Sequence, residues 1–100
     1  GVLFPDNDDA FKDADSLELL KAVMAKAEEN GYTVNNIDST ILCQRPKLRS
    51  YIDDMRKNIA AACRCDISQI SIKATTEEGL GFTGKGEGIA AHAVCLLSTV

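Results

Sequence analysis

Apolar residues along the chain change spacing several times, and each change predicts an element. Leu17, Leu20, Met24 and Ala27 recur on one helical face behind Asp15, which suits an N-cap, with Glu18 three residues later completing a capping box. Asn30-Gly31 supplies the stop. From Tyr32 to Gln44 the residues Thr33, Val34, Ile37, Thr40, Ile41 and Leu42 favour a strand, interrupted at Asn35-Asn36 by a bulge and ended by Arg45-Pro46. Leu48, Ile52, Met55, Ile59 and Ala62 then return to helical spacing, with Ser50 and Asp53 suited to the first turn. Ile67 to Ala74 alternates as a strand, Ile70 and Ile72 against Ser71 and Lys73. Thr75 to Gly88 carries five glycines in its last ten residues and predicts a loop. The apolar run Ile89 to Val100 fits helix or strand by periodicity, and Gly88 with the β-branched ends favours a strand. Before the first helix, Leu3 to Phe11 is polar and irregular around Pro5.

The order loop, α, β, α, β, β predicts an α+β fold: a sheet with two helices packed on one face and the other face available to another subunit. A chain of 100 residues with 45% hydrophobic content predicts one domain over residues 1–100, of marginal stability alone. No run reaches the ~18 apolar residues of a membrane span, and Gly1-Val2-Leu3-Phe4-Pro5 does not resemble a signal peptide, so neither membrane nor secretion is expected. Eleven basic residues against fifteen acidic ones give a net charge of −4 without a basic cluster, which argues against nucleic acid as a partner. Cys43, Cys63, Cys65 and Cys95 match neither a disulfide framework nor zinc spacing, and buried thiols in a reducing compartment are expected.

Chemistry concentrates at Thr75-Thr76-Glu77-Glu78, where two hydroxyls, two carboxylates and glycine-freed backbone amides follow a strand. That set suits phosphate oxygens with a hard cation such as magnesium, and it equally suits a solvated polar turn. Lys73 and Lys85 flank it as phosphate ligands or surface charges. Cys43-Gln44-Arg45-Pro46-Lys47 is a strand end whose backbone Pro46 leaves unpaired, an edge able to read a flat base. The Asp6, Asp8, Asp9 group reads as a sugar or cation site or as a solvated helix approach. His92 has no second imidazole or thiol at ligand spacing and reads as a structural or interface residue.

Three stretches together resemble the 2-C-methyl-D-erythritol 2,4-cyclodiphosphate synthases: Phe4-Pro5-Asp6-Asn7-Asp8 with Phe11-Lys12 and Ala14-Asp15-Ser16; Pro46-Lys47; and Lys73-Ala74-Thr75-Thr76-x-Glu78-x-Leu80-Gly81-Phe82-Thr83-Gly84-x-Gly86-Glu87-Gly88-Ile89-Ala90. The resemblance implies a homotrimeric enzyme of the non-mevalonate isoprenoid pathway, in a bacterial cytoplasm or plastid-type organelle. It would convert 4-diphosphocytidyl-2-C-methyl-D-erythritol 2-phosphate to the cyclodiphosphate and CMP, with zinc and magnesium as cofactors. By position, Thr76 matches the threonine that steadies the diphosphate transition state and Glu78 the acid associated with magnesium. Thr75 and Glu77 complete that corner. Cys43, Gln44, Arg45, Pro46, Lys47, Leu48 and Arg49 match the segment that receives the cytidine moiety, in a pocket shared between subunits. Gly1, Phe4, Pro5, Asp6, Asn7 and Asp8 match the substrate loop, Phe82 and Lys85 match further substrate or central-cavity positions, and Glu87 matches the trimer axis, on the same side of a strand as Lys85.

Two positions depart from the family pattern. Glu77 stands where a third threonine is common, and Lys85 replaces an arginine, giving up the bidentate fork. The family's zinc ligands, an Asp-x-His pair and a further His, precede the Phe-Pro-Asp motif, and Gly1 matches the glycine of an Asp-Ile-Gly before it. The expectation is therefore that the native protein continues upstream of Gly1, that the zinc ligands lie there, and that these 100 residues alone are inactive. The alternative is a non-catalytic trimer-forming or cytidine-nucleotide-binding module without the zinc site.

Overall fold

The computed structural model describes residues 2–5, 7 and 15–100, so the expectations attached to Gly1, Asp6, Asp8, Asp9, Phe11, Lys12 and Ala14 lie outside the described residues. Helix α1 runs Ser16–Glu29, and its Asp15 cap accepts from the Leu17 N–H at 2.8 Å. The expected capping box does not close, because Glu18 is drawn instead to Lys21 at 3.1 Å. Asn30 and Gly31 end the helix, Gly31 at φ 82°, where a side chain would be strained. Strand β1 follows over Tyr32–Leu42, with the expected irregularity between Val34 and Asn36.

A 3-10 turn over Arg49–Tyr51 leads into α2, Ile52–Cys63, whose first turn carries Asp53 and Asp54. Strand β2 spans Ile70–Thr75, three residues shorter at its start than the alternation suggests. Ile67–Gln69 is a 3-10 turn, because Asp66 accepts from the Ser68 N–H while Gln69 accepts from the Asp66 N–H. Those hydrogen bonds from Ser68 hold the Asp66 carboxyl below the usual carboxylate range.

The glycine-rich segment is not wholly a loop. Gly81–Gly84 forms a single helical turn, α3, and β3 runs Ala90–Thr99, so Lys85 and Glu87 precede the strand rather than sharing one of its faces. A Cβ on Gly84 would lie 2.5 Å from the backbone carbon of Gly79, a contact no side-chain rotation relieves. Gly84→Ala is therefore expected to destabilise the full-length protein by about 1–3 kcal/mol, the range for overpacking, read as a lower urea midpoint. An unchanged midpoint would contradict this close approach.

The sheet has the order β2-β1-β3, with β1 parallel to β2 and antiparallel to β3. Both long helices pack on one face, as the α+β expectation requires. Met24, Val34 and Cys63 form one part of the core; Ala60, Ile70 and Ile72 form another, and Ile37 joins them. Arg56 ties α2 to the start of β2, donating from Nε to Ile70 O at 2.8 Å and from Nη2 to Ile67 O at 3.1 Å. The opposite face is polar along β1 and β2, where Lys73 Nζ meets Asp38 Oδ1 at 2.7 Å. On β3 it is apolar: Val94 and Leu96 are 71% and 57% exposed opposite Asp38 and Asn36.

Candidate functional site

Parallel strands that end side by side leave a crevice beyond their carboxyl ends. Here β1 and β2 finish together, Leu42 opposite Thr75, and the Cys43 N–H extends the ladder to Thr75 O at 3.0 Å. The chain then turns back on itself. Cys43 Sγ donates to Arg45 O at 3.1 Å and reaches Pro46 O at 3.7 Å, and the Arg45–Pro46 peptide is cis. This reversal carries Lys47, Leu48 and Arg49 over the strand ends and into α2, enclosing a cleft of about 480 Å³.

Two stretches far apart in sequence thus share one site. Cys43, Gln44, Lys47, Leu48 and Arg49 come from the reversal, and Thr75 and Thr76 from the end of β2. Lys73 also lines the cleft. Arg45, Pro46, Glu77, Glu78, Phe82 and Lys85 do not line it, nor do Phe4, Pro5 and Asn7. Ile52, Ile72 and Ala74 do, although their spacing marks them only as core positions. Apolar residues that wall a site and those that fill a core carry the same signal.

The cleft's polar end is held by its own hydrogen bonds. Thr75 Oγ1 donates to Thr76 O at 3.3 Å, and Thr76 Oγ1 accepts from the Glu78 N–H at 3.3 Å. With an amide occupying one lone pair, the Thr76 hydroxyl proton is left to point outward at an acceptor such as a phosphate oxygen. Glu78 closes the turn at φ 56°, a left-handed conformation normally left to glycine or asparagine, and Gly79 follows at φ 82°. Glu77 Oε2 lies 3.5 Å from where a Gly81 Cβ would stand, so its carboxylate leans over the start of α3.

Charge favours an anion here despite the net −4 of the chain. Lys47 and Arg49 are exposed at the rim and make no ion pair with a described residue. Lys73 is already engaged by Asp38. Among the described residues no three His, Cys, Asp or Glu side chains are gathered so as to hold a metal ion.

Cys43 and Cys63 are buried as expected, whereas Cys65 is half-buried and Cys95 exposed. Burial pushes the Cys63 and Cys65 thiols up, and neighbouring Cys65 and Cys95 add to the effect on Cys63, which keeps that group protonated at neutral pH. His92 lies on β3 opposite Thr40, on the sheet rather than at the cleft.

A model of the YgbB family matches residues 1–98. The chain belongs to the YgbB family. It is 55% identical over 100 residues to 2-C-methyl-D-erythritol 2,4-cyclodiphosphate synthase of Lachnospira eligens, covering 100% of this chain and 55% of that protein. Among solved structures, the bifunctional IspDF from Campylobacter jejuni superposes with a TM-score of 0.94 at 42% identity, over 100% of this chain and 27% of that one. The Plasmodium falciparum IspF CDP complex gives 0.84 at 31% identity, over 99% and 58%. The chain spans between 55% and 63% of the length of the curated relatives it matches. The YgbB assignment bears out the resemblance read from the Phe-Pro-Asp, Pro-Lys and Thr-Thr-x-Glu stretches, and the α+β sheet with helices on one face agrees with these folds.

Proposed function

We propose that the protein containing this chain is a 2-C-methyl-D-erythritol 2,4-cyclodiphosphate synthase, releasing CMP from 4-diphosphocytidyl-2-C-methyl-D-erythritol 2-phosphate. The observation that carries this reading is the meeting of the 43–49 reversal with Thr75 and Thr76 in one cleft beneath Lys47 and Arg49. A relative solved with CDP makes a cytidine diphosphate the natural occupant. Leu48, Ile52 and Ile72 suit the base, and Thr75 and Thr76 suit the phosphates.

In the reaction an oxygen of the substrate's 2-phosphate bonds to the diphosphate phosphorus that is esterified to the methylerythritol, and that phosphorus's bond to the CMP oxygen breaks. The attacking phosphate is already ionised, so the protein needs no strong base. It must align the chain and stabilise charge on the transferred phosphoryl group. Thr76, its oxygen anchored by the Glu78 amide, donates to that group, and Lys47 and Arg49 offset the anionic charge.

Magnesium, when bound, would polarise the diphosphate. It keeps several waters and takes one or two carboxylates besides substrate phosphates; Glu78, two residues from Thr76, is the carboxylate proposed for it, although it stands outside the cleft of the single chain. Zinc requires a fuller protein cage than the described residues offer. Glu78→Gln should raise the magnesium concentration for half-maximal turnover at least about tenfold, the lower end of what loss of a metal-orienting group costs. A flat magnesium response would contradict the ligand role.

The exposed apolar stripe on β3, with Val94 and Leu96, supports assembly through this sheet face into the trimer expected of the family. Phe4, Pro5, Asn7, Phe82, Lys85 and Glu87 lie off the cleft of the single chain, where contacts from substrate or a second subunit would give them their roles. The deciding experiment incubates the full-length protein with the diphosphocytidyl substrate and follows CMP release. Absence of CMP and cyclodiphosphate, with CDP still bound, would favour the non-catalytic module instead.

A further inference from the structure

His92 is the single histidine of the chain, and it stands away from the cleft. It is exposed on β3 opposite Thr40 and makes no hydrogen bond or ion pair with a described residue. Strand alternation fixes which side of the sheet it occupies. Ile37 and Ile41 pack toward α2, and their partners on β3 are Cys95 and Ala91. His92, Val94 and Leu96 alternate with those two, so they stand on the face turned away from the helices.

The other charges on that face balance each other. Thr40 pairs with His92 on one side and Lys73 on the other, so one row across the sheet reads His92, Thr40, Lys73. The next row carries Val94, Asp38 and Ser71, and Lys73 Nζ meets Asp38 Oδ1 at 2.7 Å. Glu77, Glu78, Lys85 and Glu87 lie beyond the strand ends. Copies of such a face do not repel each other by net charge at neutral pH, and the exposed Val94 and Leu96 give them apolar area to bury. Among the described residues of the face, His92 alone is of the type that ordinarily changes charge between about pH 5 and 8.

Resting on the reading that the protein assembles through this face, we propose that its occupant is a second copy of the chain and that His92 makes the assembly sensitive to pH, subunits joining while the imidazole is neutral and separating when it is protonated. Association takes the ring out of water beside Val94 and Leu96, and burial disfavours a charged group. At low pH each subunit must therefore give up a proton or bury an imidazolium, so assembly weakens as pH falls through the range where an imidazole in water titrates, about 6.5. Asp38 does not offset the new charge, because Lys73 already holds it.

Sedimentation velocity of the full-length protein over a series of concentrations tests this, comparing wild type, His92→Gln and His92→Leu, with far-ultraviolet circular dichroism reporting whether the subunits stay folded. For the wild type, the concentration at half-assembly is expected to rise at least about tenfold between about pH 7.5 and about pH 5.5, since about a tenth of an imidazole is neutral one pH unit below its ordinary value. Each variant should stay within about threefold of its own value over the same interval, because neither side chain gains a charge there. Wild-type assembly that is unchanged or strengthened at the lower pH overturns the proposal. So does a response that persists in both variants, or wild-type dissociation that occurs only as the circular dichroism signal is lost. A protein that sediments as a single subunit at every pH would instead remove the assembly reading, and this inference with it.

Discussion

Replacing Thr76 by alanine is expected to lower turnover of the full-length protein about 10²-fold, or roughly 2.7 kcal/mol, the loss associated with removing one donor to transition-state charge. The hydroxyl oxygen accepts from the Glu78 N–H at 3.3 Å, which leaves its proton free to donate to a phosphoryl oxygen. Charge on the phosphoryl oxygens grows most in the transition state, so the deficit should fall on kcat. CDP affinity should change by less than about threefold. Single-turnover CMP release together with CDP titration separates the two quantities. Unchanged turnover would take Thr76 out of the mechanism, and an equal loss in both would make it a ground-state binder.

Ile70→Ala should cost about 2–5 kcal/mol of stability, the range for truncating a buried aliphatic side chain. Ile70 is 1% exposed and packs with Ala60 and Ile72 beneath α2, where few neighbours can move to fill the space left. Against the total of about 5–15 kcal/mol typical of a domain, this is a large fraction. The expected observation is a lower urea midpoint at unchanged slope. A loss below about 1 kcal/mol would mean that the cavity collapses, contrary to the close packing described. Because β2 runs from Ile70 to Thr75, the same substitution also loosens the strand whose end carries the cleft's hydroxyls.

Where a single rule governed a segment, its structure was legible from the chain. The helical spacing of Ile52, Met55 and Ile59 needed no tertiary information, and Asn35-Asn36 marked the irregularity in β1. Ile67–Gln69 departs from the strand that alternation predicts: Ile67 fits that alternation, but it stands three residues before Ile70 and follows Asp66, whose pairing with Gln69 is a local capping signal. The turn of helix at Gly81–Gly84 was hidden by its glycines, which suggest irregular backbone even where a hydrogen-bonded turn forms.

The site divides in the same way. Thr75, Thr76 and Lys47 announce polar chemistry, and the structure brings them to one cleft. Ile52 and Ile72 were invisible as site residues because their composition is that of the core. Glu77 and Glu78, adjacent to the threonines in sequence, do not line the cleft, because the left-handed turn at Glu78 leads the backbone away.

Of the three described strands, the middle one, β1, is synthesised first. Both neighbours of β1 come later, and its longest pairing joins Tyr32 to Thr99. A nascent chain therefore carries β1 with both hydrogen-bonding edges open until β2 and then β3 have left the ribosome. Contacts this distant in sequence close slowly, and open edges invite pairing with other chains. The interval before β3 emerges is when holding chaperones have most to protect.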